Sequence, residues 1–337
     1  MNDIEIAQAV STILSKFTKA TPDEAPATSE AARVDGLDEI VAKALAQHSS
    51  VRDASAISQV AKVANASTGA FDTMDEAISA AVLAQVQYRH CSMQDRASFI
   101  NGIRDVFLQE DVLCALSRMA VEETGMGNYE DKLIKNRVAA LKTPGIEDLT
   151  TSAVSGDGGL TLIEYSAFGV IGSITPTTNP TETIINNSIG MLAAGNTVVF
   201  SPHPRSRKVS LYAVELINNK LAQLGAPANM VVTVTKPSID NTNVLINDPR
   251  INMLVATGGP AIVKTVMSSG KKAIGAGAGN PPAVVDETAD IEKAARDIIK
   301  GCSFDNNLPC VAEKEVIVVN QVADYLIHCM KKSGAYL

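Results

Sequence analysis

Cys310 stands in the segment Ser303-Phe304-Asp305-Asn306-Asn307-Leu308-Pro309-Cys310-Val311-Ala312-Glu313-Lys314, which gives a thiol a turn to sit on. Pro309 fixes φ, and Asn306 and Asn307 favour turns. A thiol exposed on a turn that ionises readily is a nucleophile, whereas one buried in a core is inert packing. Local sequence leaves both readings open. Thr257-Gly258-Gly259 sits where a strand turns into a helix. Glycines let a backbone approach a ligand and a helix N-terminus favours phosphate, but spacing alone favours a tight βα turn with no ligand. Gly275, Gly277 and Gly279 do not form G-x-G-x-x-G. His203, in Ser201-Pro202-His203-Pro204, shares no ligand spacing with His48, His90 or His328, so no metal site is expected.

These residues hang on a regular alternation of elements. Helical periodicity runs from Met74 to Met119. Gly156-Asp157-Gly158-Gly159 separates the β-prone runs 150–154 and 160–165, which predicts a hairpin. Strand 169–175, helix 181–194, strand 197–201, helix 208–224 and strand 230–235 follow, then strand 252–257 opening at Gly258 into helix 261–269. The alternation predicts an α/β fold, a parallel doubly wound sheet with helices on both faces. Ahead of this body, Ile6, Val10, Ile13, Leu14 and Phe17 form an apolar stripe on one helix face, with Asp3 as N-cap. Residues 18–35, with Pro22 and Pro26, offer little to bury and read as linker. A second short helix is expected at 37–47, and polar sequence then runs to about Thr73.

With 337 residues, 46% of them hydrophobic, the chain has enough material for more than one domain. A net charge of −8 argues against a nucleic-acid partner. Five cysteines, Cys91, Cys114, Cys302, Cys310 and Cys329, form no C-x-x-C pair and fit a reducing compartment. Uninterrupted apolar runs all fall short of a span of roughly 18 residues, and the first residues lack a signal-peptide pattern. A soluble intracellular protein with no membrane partner is expected.

Four segments together carry a resemblance: Glu122-Glu123-Thr124-Gly125-Met126-Gly127, Ile174-Thr175-Pro176-Thr177-Thr178-Asn179-Pro180, Ala256-Thr257-Gly258-Gly259-Pro260 and the Cys310 segment. In that order they resemble the aldehyde dehydrogenase superfamily, and within it the CoA-acylating branch. Thr143-Pro144-Gly145-Ile146-Glu147-Asp148-Leu149, Gly156-Asp157-Gly158-Gly159 and Asn307-Leu308-Pro309-Cys310 favour its microcompartment members that use propionaldehyde over those that use acetaldehyde. The similarity runs from about Thr73 to the end of the chain.

The resemblance implies a cofactor-binding domain over 73–148 and 169–280, a β-hairpin oligomerisation arm at 149–168 and a partial α/β catalytic domain at 281–337. It makes residues 1–18 an encapsulation helix that binds microcompartment shell protein, with 19–72 a linker. The competing reading docks that helix on the enzyme's own body. By resemblance Cys310 is the nucleophile, forming a thiohemiacetal and then a thioester that the CoA thiol attacks, with NAD accepting hydride. Short aliphatic aldehydes are the implied substrates, and the cytoplasmic microcompartment lumen the implied location. The alternatives are the acetaldehyde version and a truncated, non-catalytic shell-interaction protein. The Cys310 N–H and the Asn179 side chain are the implied oxyanion donors, although gapless alignment puts Thr178 at the relatives' Asn and Asn179 could be a turn residue before Pro180. Thr175, Pro176, Thr177, Ser201, Pro202, His203, Thr257, Gly258, Gly259 and Gly277 are the implied cofactor contacts. Hydrolytic relatives place a general-base Glu 34 residues before the cysteine, and here that residue is Ala276. Acyl transfer is therefore expected over acid formation. Relatives continue past the position of Leu337, so the chain reads as a fragment of a homo-oligomeric enzyme and is not expected to turn over by itself.

Overall fold

The computed structural model describes residues 68–336. The helices expected at 1–18 and 37–47, and the linker up to residue 67, lie outside the described residues. The described chain opens with strand β1 (Ala70–Phe71) and helices α1 (Met74–Tyr88), α2 (Met93–Phe107), α3 (Glu110–Thr124) and α4 (Tyr129–Lys142). Residues 70–71 were expected as linker. They instead pair in parallel with the later strand β6 (Val231–Val234), because Phe71 is apolar enough to be buried against the sheet. α1 and α2 each start on a capping box, Thr73 with Glu76 and Ser92 with Asp95, which satisfies free N–H groups of the first turn.

β4 (Val170–Thr175), α5 (Pro180–Ala193), β5 (Thr197–Pro202), α6 (Arg207–Gln223), β6, α7 (Ile239–Asn247), β7 (Met253–Thr257), α8 (Pro260–Met267) and β8 (Lys272–Ala276) follow. The sheet order is β1-β6-β5-β4-β7-β8, and every pairing is parallel. Alternate side chains of each strand enter different cores. Ile171, Val198, Phe200, Val231 and Met253 join a cluster with residues of α2, α5 and α6. Val170, Val199, Val232 and Leu254 join a second with residues of α1 and α7. Both faces are thus covered, the expected doubly wound arrangement. Chain direction across the sheet reverses between β4 and β7, and ligands of such sheets bind outside the carboxyl ends of the strands at that point.

Two pieces stand apart from this sheet. β2 (Ser152–Gly156) and β3 (Gly159–Ile163) form an antiparallel hairpin whose residues are all exposed, Val154, Leu160 and Leu162 included. β9 (Pro282–Val285), α9 (Ile291–Ser303), β10 (Glu315–Val318) and α10 (Asn320–Lys332) form a small α/β unit with parallel β9–β10 pairing. Its core holds Val285, Ile291, Ala295, Ile298, Leu326 and Cys329. The segment between α9 and β10 carries Cys310.

Candidate active site

Asp305, Asn306 and Asn307 are all in the left-handed backbone region, with φ of 47°, 55° and 61°. Asparagine and aspartate tolerate this region better than other side chains, so the sequence suits the turn. The run is held from several sides. The Asn307 side-chain amide donates to the carbonyls of Cys302 at 2.7 Å and Glu313 at 3.0 Å, closing the loop around the cysteine. Lys314 donates to the Asn307 carbonyl at 3.2 Å and lies against that of Pro309 at 3.4 Å. Gly279 lies so close that a Cβ there would run into the Cys310 carbonyl oxygen. Cys310 is exposed at the end of this bracing. Cys302, by contrast, is half-buried in α9 and donates its S–H to the Ile299 carbonyl at 3.4 Å. Of the two local readings, exposure favours the nucleophile.

Asp305 anchors the loop to α4. Its side chain is fully buried, its backbone N–H donates to Asp131 Oδ2 at 2.7 Å, and its Oδ1 accepts the Asn128 N–H at 3.1 Å. Its Oδ2 is shared by two ammonium groups, Lys132 at 3.0 Å and Lys135. Glu182 Oε1 completes the cluster as an ion partner, 3.2 Å from Lys135 and 3.8 Å from Lys132. Burial and the neighbouring Lys135 push the Lys132 pKa down, against the pull of Glu182 and Asp305. Burial also works against the Lys135 charge, but Glu182 and Asp305 outweigh it and hold its pKa above the usual value.

Cys310 lies where two cavities meet. The first, about 680 Å³, lies along the carboxyl ends of β4, β5, β7 and β8. Every one of the expected cofactor contacts lines it: Thr175, Pro176, Thr177, Ser201, Pro202, His203, Thr257, Gly258, Gly259 and Gly277. The second, about 930 Å³, lies between α4, α5 and α9 and is lined by Ile134, Lys135, Val138, Phe304 and Glu313 among others. Asn179, Thr257 and Cys310 are the residues common to both walls. Ala276 lines the first cavity, and among the described residues no carboxylate does. The second has Glu182, Asp297 and Glu313 in its wall.

The first cavity suits a dinucleotide. Thr175 Oγ1 is buried with no partner, a polar atom left for a ligand. A Cβ at Gly259 or Gly277 would meet no protein atom within 4 Å, so both keep backbone open to the cavity. Gly275 is different: a Cβ there would press on Val263 and Met267 of α8, so this glycine serves helix packing. The His203 ring accepts the Arg205 N–H at Nδ1, 3.1 Å away, leaving Nε2 as its free donor. Burial first, then Arg205, lowers its pKa, which keeps the ring neutral near pH 7. Among the described residues, no three His, Cys, Asp or Glu side chains gather to hold a metal.

Sequence reading missed α4 and with it Lys132 and Lys135. α4 has an inverted pattern: Lys132 and Asn136 are buried while Ile134, Val138 and Leu141 are each 51% exposed. The available signals were the N-cap Asn128 with the acidic first turn of Glu130 and Asp131, the i, i+4, i+7 spacing of Ile134, Val138 and Leu141, and Lys142 in the last turn.

The aldehyde dehydrogenase family model matches residues 41–335. The chain is 54% identical over 269 residues to the propanal dehydrogenase (CoA-propanoylating) of Salmonella typhimurium, covering 80% of this chain and 58% of that protein. It is similar to the crystal structure of Rhodopseudomonas palustris propionaldehyde dehydrogenase with bound CoA and an acylated cysteine. That match has a TM-score of 0.78 and 74% identity over 80% of this chain and 61% of the other. A propionaldehyde dehydrogenase from the fucose utilisation bacterial microcompartment of Clostridium phytofermentans matches with a TM-score of 0.75 and 54% identity. It covers 78% of this chain and 60% of that one. The chain therefore spans about three fifths of the length of these relatives.

Proposed function

Because this chain belongs to the aldehyde dehydrogenase family, we propose that it supplies the nucleophile and the dinucleotide side of a CoA-acylating aldehyde dehydrogenase. The observation that carries this reading is the exposed Cys310 at the junction of two cavities, one fitted to a dinucleotide and one free for a small substrate. Its thiolate adds to the aldehyde carbon, and the carbonyl oxygen becomes an oxyanion. The Cys310 N–H and the Asn179 amide are the donors assigned to it. The wall of the first cavity from Thr175 to Gly277 would hold a nicotinamide cofactor, proposed to be NAD, which would supply the acceptor for the hydride that the tetrahedral adduct must lose. The adduct thereby becomes a thioester on Cys310. A CoA thiolate then adds to the thioester carbonyl, and the Cys310 sulfur leaves with the electron pair, giving acyl-CoA. Ala276, at the position where hydrolytic relatives have their general-base Glu, supports thiol over water as the acyl acceptor, since water needs a base.

Propionaldehyde is the proposed substrate, because the relatives named for it are 54% and 74% identical to this chain. Location in a microcompartment is proposed with it, the apolar stripe Ile6, Val10, Ile13, Leu14 and Phe17 acting as the shell-binding face. Steady-state NADH formation from propionaldehyde and acetaldehyde, with and without CoA, and with NAD or NADP, tests the activity. In a chain extended to the relatives' length, CoA-dependent NADH formation fastest with propionaldehyde is expected. A faster acetaldehyde rate replaces the substrate, and free acid as the main product at saturating CoA overturns acyl transfer. Residues 1–18 fused to a fluorescent protein are expected to concentrate it at shells, and Leu14→Glu to abolish this. Unchanged co-localisation of the charged variant overturns the shell-binding reading.

A further inference from the structure

Asn179 occupies the N-cap of α5, yet its side chain does not cap the helix. Cap duty is where an asparagine at this position usually spends its oxygen. Here the oxygen is spent elsewhere: Asn179 Oδ1 accepts from the Lys135 ammonium, while Nδ2 rests on Thr178 Oγ1 at 3.1 Å. An ammonium carries donors only, so it fixes which end of the amide faces it. The carbonyl end must turn to Lys135, and the NH2 end is left on the side that donates. Lys135 is itself immobilised. Its ammonium meets Asp305 Oδ2 and stands 3.2 Å from Glu182 Oε1. Asp305 belongs to the loop that ends at Cys310, so one buried cation joins the nucleophile's loop to the amide beside it.

We propose that Lys135 is a positioning residue, which sets the Asn179 amide with its NH2 toward the oxygen that becomes charged when Cys310 is acylated. Without the ammonium, the amide is free to turn its oxygen toward the developing oxyanion, replacing attraction by repulsion. The inference rests on the proposed role of Cys310 in acyl transfer. It does not depend on a bound dinucleotide, which allows a test that bypasses hydride transfer.

The test compares two reactions of the Cys310 thiolate. With p-nitrophenyl propionate the sulfur bonds to the ester carbonyl carbon and p-nitrophenolate leaves with the electron pair, through an oxyanion. With iodoacetamide the sulfur bonds to the methylene carbon and iodide leaves, with no oxyanion. Rates at Cys310 are read by mass spectrometry against the other four cysteines. Lys135→Met is expected to slow acylation by about tenfold to a hundredfold, in the range of a lost oxyanion donor, and to leave alkylation within about twofold. Asn179→Ala is expected to do the same. In the Asn179→Ala background, Lys135→Met is expected to cost nothing more, because its effect travels through the amide. If Lys135→Met slows both reactions alike, or its loss adds fully to that of Asn179→Ala, the proposal is overturned. Should Lys135→Met fail to fold by circular dichroism, the same cycle with Lys135→Ala, which likewise has no donor, decides by the same criteria. If Cys310 of the unmodified chain shows no preferential acylation over the other cysteines, it is the acyl-transfer reading that fails.

Discussion

Cys310 and Cys302 share one short stretch and differ in what the fold does with them. Cys302 is tied into α9 through the Ile299 carbonyl, whereas Cys310 is exposed on a braced turn. Cys310→Ala is therefore expected to abolish acylation by activated esters, and Cys302→Ala to stay near the parent rate. Comparable losses at both positions, read by mass spectrometry of the labelled peptides, would contradict the assignment. The bracing makes a second expectation at a residue without functional groups. A side chain at Gly279 must displace the Cys310 carbonyl. Misplacing reacting atoms by about 1 Å can cost about a hundredfold in rate. Gly279→Ala should thus slow acylation at least about tenfold while the thermal midpoint moves little, and an unchanged rate would show that the loop absorbs the added methyl group.

At the scale of elements, β1 and the Arg250 contacts show how the sheet's edge and ends are secured. β1 is two residues long, and Phe71 is its contribution to the core shared with Met74, Ile78 and Val234. Phe71→Ala removes a buried aromatic and should destabilise by about 3–5 kcal/mol, measured by urea unfolding. A loss below about 1 kcal/mol would restore the linker reading of this stretch. Arg250 donates to Asp75 and Ser79 of α1 and to Asp248 just after α7. The hydrogen bonds from Arg250 hold the Asp248 carboxyl below the usual carboxylate range. A depressed folded pKa contributes stability that is present above the unfolded value of about 4 and lost as pH falls through the folded value. Arg250→Met should therefore lower the thermal midpoint at pH 7, and the gap to the parent should close as pH falls below about 4. A gap that persists undiminished in acid would assign the loss to packing.

Across the described molecule, the two cavities differ in where their carboxylates lie. Among the described residues, the wall of the first has no carboxylate and carries His203 and Lys314, while that of the second has Glu182, Asp297 and Glu313 beside Lys135 and Lys300. An acyl group on Cys310 should consequently persist for minutes in buffer near pH 7 and leave within seconds of adding CoA. Intact-mass measurement after a pulse of p-nitrophenyl propionate checks this. Rapid loss without CoA would point to a base in the second cavity, with Glu313 the first residue to replace. Among the described residues no helix is long and apolar enough to cross a membrane.

What sequence determined was the part of the protein written in short-range patterns. Alternating apolar runs predict the strands from 169 to 257 and the helices at 181–194 and 208–224, and these agree with the observed elements to within a few residues, whereas α7 lies where no helix is expected. Turn chemistry alone left Cys310 and the Thr257-Gly258-Gly259 turn open between a functional and a purely structural reading, and it was the order of the four motifs, through the family resemblance, that pointed to them. Tertiary structure alone decided which of these residues face one another. Ile134, Val138 and Leu141 give α4 helical spacing, but the face it buries carries Lys132, paired with carboxylates from distant segments, and Asn136, bonded to Ser117. Asp305 and Glu182 lie 123 residues apart in the chain, and no sequence window shows that they share two lysines. The same holds for Asn179, which sequence leaves between an oxyanion donor and a turn residue before Pro180 and whose side-chain oxygen meets an ammonium from α4. Backbone pattern follows from neighbours in the chain, whereas the partners of a buried charge are set only when the sheet and the Cys310 loop close on each other.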